Sequence, residues 1–180
     1  LDGRLKLDVP TGVQKGALVD EDARVERPCF IGPGAKVARD AYVGAYSVIG
    51  SGASVEAQAG VKRSVLWKGA RMEKGSQARG CVLAANATMS EGAQAFEESA
   101  LGTGASLGAR ASLMPGVKVW PYKGVQDGER LEANLVWGSR AERGFSEGSL
   151  PLNDPAAAAR AAQALAADLK PREFLLAHTH

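Results

Sequence analysis

Residues Ile31–Gly60 read IGPGAK VARDAY VGAYSV IGSGAS VEAQAG, five successive units of six residues. Each unit opens on a branched aliphatic residue (Ile31, Val37, Val43, Ile49, Val55) and places a small one four positions later (Ala35, Ala41, Ser47, Ala53, Ala59). An α-helix cannot use a strict period of six, because 3.6 residues per turn would sweep such positions around its whole surface. Short strands joined by tight turns can. One large and one small inward residue per unit fill a narrow triangular prism, with one unit per face and three units per coil.

The same step runs outward in both directions. Eighteen units lie between Val13 and Val117, and all but Ala78 and Ala95 open on a large aliphatic residue or Met. The small position holds throughout, with Val65, Val82 and Val117 as its largest occupants. Repeats of this kind set the architecture before any local reading does. They predict an all-β fold, a parallel β-helix of about six coils over residues 13–119.

Turn chemistry tests the prism independently, since every third unit must meet the same corner. The fourth residues at one corner are Gly16, Gly34, Gly52, Gly69, Asn86 and Gly104, all tolerant of positive φ. These five glycines are the structural turn positions that the sequence singles out. The second corner reads Asp22, Asp40, Gln58, Gly75, Gly92 and Arg110, and the third Pro28, Tyr46, Ser64, Cys81, Glu98 and Gly116. Two units have only five residues, Val61–Val65 and Ala78–Val82, and both fall on the third corner of adjacent coils. A deletion matched in the next coil keeps strands stacked.

Composition agrees. Hydrophobic residues make up 45% of the 180-residue chain but aromatics only 6%, so aliphatic and small side chains must fill the interior. The net charge is +2 and the basic residues are scattered, which argues against nucleic-acid binding. No stretch reaches the roughly 20 apolar residues of a membrane span, and Leu1–Pro10 lacks a signal-peptide pattern. A soluble, cytoplasmic protein with no membrane contact is the expectation. Cys29 and Cys81 read as structural thiols, far apart and without a CxxC pattern.

Residues 1–12 read as a lead-in. Beyond Val117 the step persists at Val119, Val125 and Leu131, but Lys123 and Glu129 take the small position. The prism is therefore expected to end there, with residues 120–137, which carry Trp120, Tyr122 and Trp137, folding over it as a cap. An aromatic binding patch is the sharper alternative. Residues 138–153 read as a linker. Asp154 and Pro155 start an alanine-rich helix, and Glu173–Thr179 follows as a strand, so residues 154–180 read as a helix plus strand that either packs on the prism or opens a larger α/β domain.

The hexapeptide series, together with PGVKVWPYKGVQDGERLEANLVWG (Pro115–Gly138), SVLWKGA (Ser64–Ala70) and GCVLAANA (Gly80–Ala87), resembles the central segment of fused mannose-1-phosphate guanylyltransferase and phosphomannomutase-like proteins. The resemblance implies a left-handed coil, opposite to the usual right-handed crossover. It also implies a role in GDP-mannose-type sugar-nucleotide synthesis, beside nucleotidyltransferase and mutase domains. None of those domains' catalytic loops has a counterpart in residues 1–180, so no catalytic residue is carried over.

Hexapeptide β-helices also include CoA-dependent acyltransferases and zinc enzymes, which need histidines on the coils. The two histidines here are His178 and His180, outside the prism, and two ligands make an incomplete metal site. Asp20, Glu21, Asp22 and Asp40 sit at turns and read as solvated corners. Arg140, Arg143 and Lys123 read as ordinary surface cations. The sequence thus yields no catalytic, cofactor-binding or metal-binding residue. Its leading reading is a non-catalytic domain that forms a dimer or trimer and couples enzyme domains. An acyltransferase, or an allosteric sensor of nucleotide sugars, is the alternative.

Overall fold

The computed structural model describes residues 11–136, which form a left-handed parallel β-helix of seven triangular coils. Twenty-one strands of two or three residues fall into three seven-stranded sheets, and each strand pairs in parallel with the third strand before or after it. The sheets are the prism's three faces. Face A runs from Gly12–Val13 to Lys118–Val119, face B from Leu18–Val19 to Gly124–Val125, and face C from Arg24–Val25 to Arg130–Leu131.

The residue that opens each unit points inward and stacks on its equivalent one coil away, as Ile31 does on Ile49 and Leu66 on Leu83. From the second coil onward these side chains are buried, and with the small inward residues they make one continuous core cluster. Each coil is therefore stabilised almost wholly by its two neighbours.

The prism is one coil longer than its sequence suggested. Residues 120–131, expected as a cap, supply the strands Gly124–Val125 and Arg130–Leu131 of a seventh coil. Losing the small position to Lys123 and Glu129 does not end the helix, because both are only half-buried at the last coil. Val119, Val125 and Leu131 still fill the interior, and Tyr122 and Gly128 still turn the corners at φ 61° and 69°. Leu135 then pairs with Val119 in parallel and is itself buried. The linker, helix and strand expected over residues 138–180, and Leu1–Pro10 of the lead-in, lie outside the described residues.

The two short units also differ from the sequence reading. Their inward small residues are Ser64 and Cys81, both buried, while Val65 and Val82 lie on the outside of face A. The missing residue comes out of the turn. Gly60–Lys62 and Gln77–Arg79 are three-residue strands that pair with each other, and Arg63 (φ 46°) and Gly80 (φ 58°) then turn the corner. Ser64 and Cys81 are thus wall residues, not corner residues.

Positive φ is not confined to the glycine corner. Gly16, Gly34, Gly52, Gly69 and Gly104 have φ between 64° and 86°, but Asp40, Tyr46, Gln58, Glu98 and Arg110 adopt 56–62° at the other two corners. Left-handed backbone in an L-residue costs roughly 1–2 kcal/mol. Two of the glycines have a second reason to lack a side chain. A Cβ on Gly69 would lie 2.3 Å from Asn86 Oδ1, and one on Gly104 2.8 Å from the Tyr122 ring.

Candidate functional site

Each unit projects two residues outward, one before and one after the inward aliphatic, so each face carries two exposed columns. On face B between the second and sixth coils these columns include Lys36, Glu56, Arg71 and Glu73. Face C is also polar. There the Tyr42 hydroxyl donates to Glu26 Oε2 at 2.8 Å and Arg24 Nη2 to Glu26 Oε1 at 2.7 Å. Arg24 and Lys62 lie 5.3 and 5.2 Å from the centre of the Tyr42 ring. The Tyr42 hydrogen bond, followed by that from Arg24, holds the Glu26 carboxyl below its ordinary value, and the same bond raises the Tyr42 phenol.

Face A is different. Over the same five coils the column before the aliphatic reads Phe30, Val48, Val65, Val82, Ala100, and the column after it Gly32, Gly50, Trp67, Ala84, Gly102. None of the ten carries a charge or a polar side chain. Parallel pairing in register places the first column in a continuous line. Apart from Trp67, the second column is low, and at its glycines neighbouring coils approach closely. A Cβ on Gly50 would lie 2.8 Å from Leu66 O, and one on Gly102 2.5 Å from Pro121 N. Trp67 (56% exposed), Val82 (37%) and Trp120 (53%) stand on this face, and Tyr122 (79%) stands on the glycine corner beside it.

The inner wall of face A is distinct as well. Where face B lines the core with Ala35, Ala53, Ala70, Ala87 and Ala105, face A uses Cys29, Ser47, Ser64, Cys81 and Ser99, all buried. The hydroxyls reach backbone carbonyls: Ser64 Oγ donates to Lys62 O at 2.8 Å and Ser99 Oγ to Phe96 O at 2.5 Å. Ser64 Oγ also accepts from Cys81 N at 3.1 Å. Both thiols are free, and burial pushes the Cys81 thiol up to about 11 and raises Cys29 in the same direction. A protonated, enclosed thiol is a poor nucleophile.

The remaining sequence candidates do not converge. The five turn glycines line the corner between faces A and B. Asp20, Asp22 and Asp40 are exposed at corners, with Asp20 accepting from Asp22 N and Arg39 bridging Asp22 at 3.2 Å and Asp40 at 3.7 Å. Lys123 is half-buried in the last coil. Arg140, Arg143, Trp137, His178 and His180 lie outside the described residues. Among the described residues no three His, Cys, Asp or Glu side chains are grouped to hold a metal. A shallow depression on face B is lined by Leu18, Asp20, Lys36, Val37, Val55 and Glu56. Sequence reasoning missed face A because it followed the inward positions; reading the outward columns at the same period would have found it.

The fold and its exterior define a hexapeptide-repeat β-helix. The family model of the GMPPB C-terminal domain matches residues 13–134, and the chain belongs to that family, a left-handed β-helix domain of mannose-1-phosphate guanylyltransferase. Solved structures share the fold. A hexapeptide transferase family protein from Anaplasma phagocytophilum is 20% identical with a TM-score of 0.55, covering 85% of this chain and 90% of that one. A putative acetyltransferase from Bacillus cereus is 15% identical with a TM-score of 0.58, over 61% of this chain and 68% of that one. The acetyltransferase domain of PglB from Neisseria gonorrhoeae is 21% identical with a TM-score of 0.51, over 67% and 51%. No curated protein matches the sequence.

Proposed function

We propose that this chain is a non-catalytic β-helical domain that joins protein subunits in GDP-mannose-type sugar-nucleotide synthesis. The observation that carries the reading is face A, a face without charge over five coils on a prism whose other two faces are charged. Contiguous exposed apolar patches of this kind mark interaction sites more often than they occur by accident on monomers. Membership of a guanylyltransferase domain family supports the pathway. The resemblance of Pro115–Gly138 to transferase–mutase fusions supports flanking enzyme domains as further neighbours.

Light scattering on the chain at rising concentration tests the reading. A mass of two or three chains is expected, and a strictly monomeric protein at high micromolar concentration overturns self-association. Isothermal titration with acetyl-CoA addresses the acyltransferase alternative. No heat is expected, and saturable binding would favour transfer chemistry instead.

A further inference from the structure

We infer that face A docks on face A of a second copy of this chain, around a twofold axis parallel to the prism axis. This rests on the subunit-joining role proposed above and names its partner and geometry. Charge selects the partner. The outward positions of face A from the second to the sixth coil offer nothing for a charged surface to pair with, and a face bearing Lys, Arg or Glu would lose hydration there without compensation. Another uncharged face meets no such loss, and among the described faces of this chain only face A provides one.

Relief selects the geometry. A twofold axis along the prism keeps coils level and swaps the two columns, so that the raised column of each copy meets the low column of the other. Val48, Val82 and Ala100 then face Gly50, Ala84 and Gly102, large against small, while at the fourth coil Val65 meets Trp67, a contact that the crosswise arrangement would replace by Trp67 on Trp67. At the second coil the hollow is already filled, because the Phe30 ring lies 3.2 Å from where a Gly32 Cβ would sit. An axis across the prism would instead bring Val48 against Val82 and Gly50 against Ala84, large against large and hollow against hollow. Close packing favours the first arrangement.

The footprint sets the strength. Five coils at ~4.8 Å and a face roughly 10 Å wide give a few hundred Å² with the Trp67 ring included. A standard interface uses about 800 Å² per partner. The contact is therefore a dissociable one, and self-association should vary with concentration.

Sedimentation equilibrium on the 180-residue chain and its variants tests this. Val65→Lys puts a charge at the centre of the contact, and self-association should weaken on the order of thirtyfold or more. Gln77→Lys, at an outward position of face C, should change it less than about twofold. Should Val65→Lys fail to fold, Trp67→Glu replaces a side chain that is more than half exposed and makes the same test. Undiminished dimerisation of a folded face A variant overturns the inference and leaves the subunit-joining role standing; a monomeric wild-type chain overturns both. Spin labels on Lys15→Cys, with the native thiols buried, read the geometry. The level arrangement places them within about 20 Å, whereas an axis across the prism separates them by about 30 Å, six coil steps. The longer distance, or a mass of three chains, overturns the twofold proposed here.

Discussion

Faces A and C are built from the same six-residue unit, in the same coils, with buried aliphatic side chains inside both. Their outer columns differ in charge: over coils two to six face C carries Lys62 and Arg79 outward, and face A carries no charge. Face C binds several of its own side chains to one another, through Tyr42, Glu26, Arg24 and Lys62. Face A leaves Trp67, Val82 and Trp120 exposed, with nothing among the described residues to cover them. A repeat that fixes the interior so tightly leaves the exterior free, and each face can acquire its own role without disturbing the core.

That contrast can be broken experimentally, and the largest effect should come from crossing the wall of face A. Leu83→Ala opens a cavity in the core and should cost about 2–5 kcal/mol in chemical denaturation, whereas Val82→Ala, one residue away and outside, should cost under about 1. Equal losses would mean that Val82 is a core residue. Next comes alkali. The Cys81 thiol is raised from 9.0 to about 11, so its contribution is complete below pH 9 and is lost as pH climbs towards 11. About 2–3 kcal/mol should disappear across that window in the wild type, and most of that loss should be absent in Cys81→Ala.

The inner walls provide a third comparison. Ser64→Ala removes the acceptor of the buried Cys81 N–H and should cost about 1–3 kcal/mol. Ser76→Ala, on the face C wall, removes only a hydroxyl donating to Glu73 O at 2.7 Å and should cost less. Urea midpoints of the two variants decide it. The smallest effect belongs to the outside of face C. Arg24→Ala should change the melting temperature little, because its contacts with Glu26 and Tyr42 are exposed and are worth under about 1 kcal/mol.

The inward half of the structure was legible because burial imposes a period. Ile31, Val37 and Val43 announce themselves at intervals of six, and the matched short units announce three units per coil. Boundaries were less legible. At Lys123 and Glu129 the pattern loses its small residue, and only the backbone shows that the corners at Tyr122 and Gly128 still turn. Ser64 and Cys81 were misplaced by one position for a related reason: a five-residue unit does not say whether its strand or its turn lost the residue. The docking face was written in the outward columns, where no core constrains the choice and where glycine reads equally well as a turn residue or as a hollow.

The paired three-residue strands Gly60–Lys62 and Gln77–Arg79 carry one more consequence. Equivalent residues on successive coils are 18 apart from Ile31 to Ile49 but 17 apart from Leu66 to Leu83, and both spacings keep every side chain on its own side of the wall. The length of this protein is quantised. It can grow or shrink by whole turns, each removed or added like a bead on a rod, but a change of one residue within a single strand would turn its lining outward.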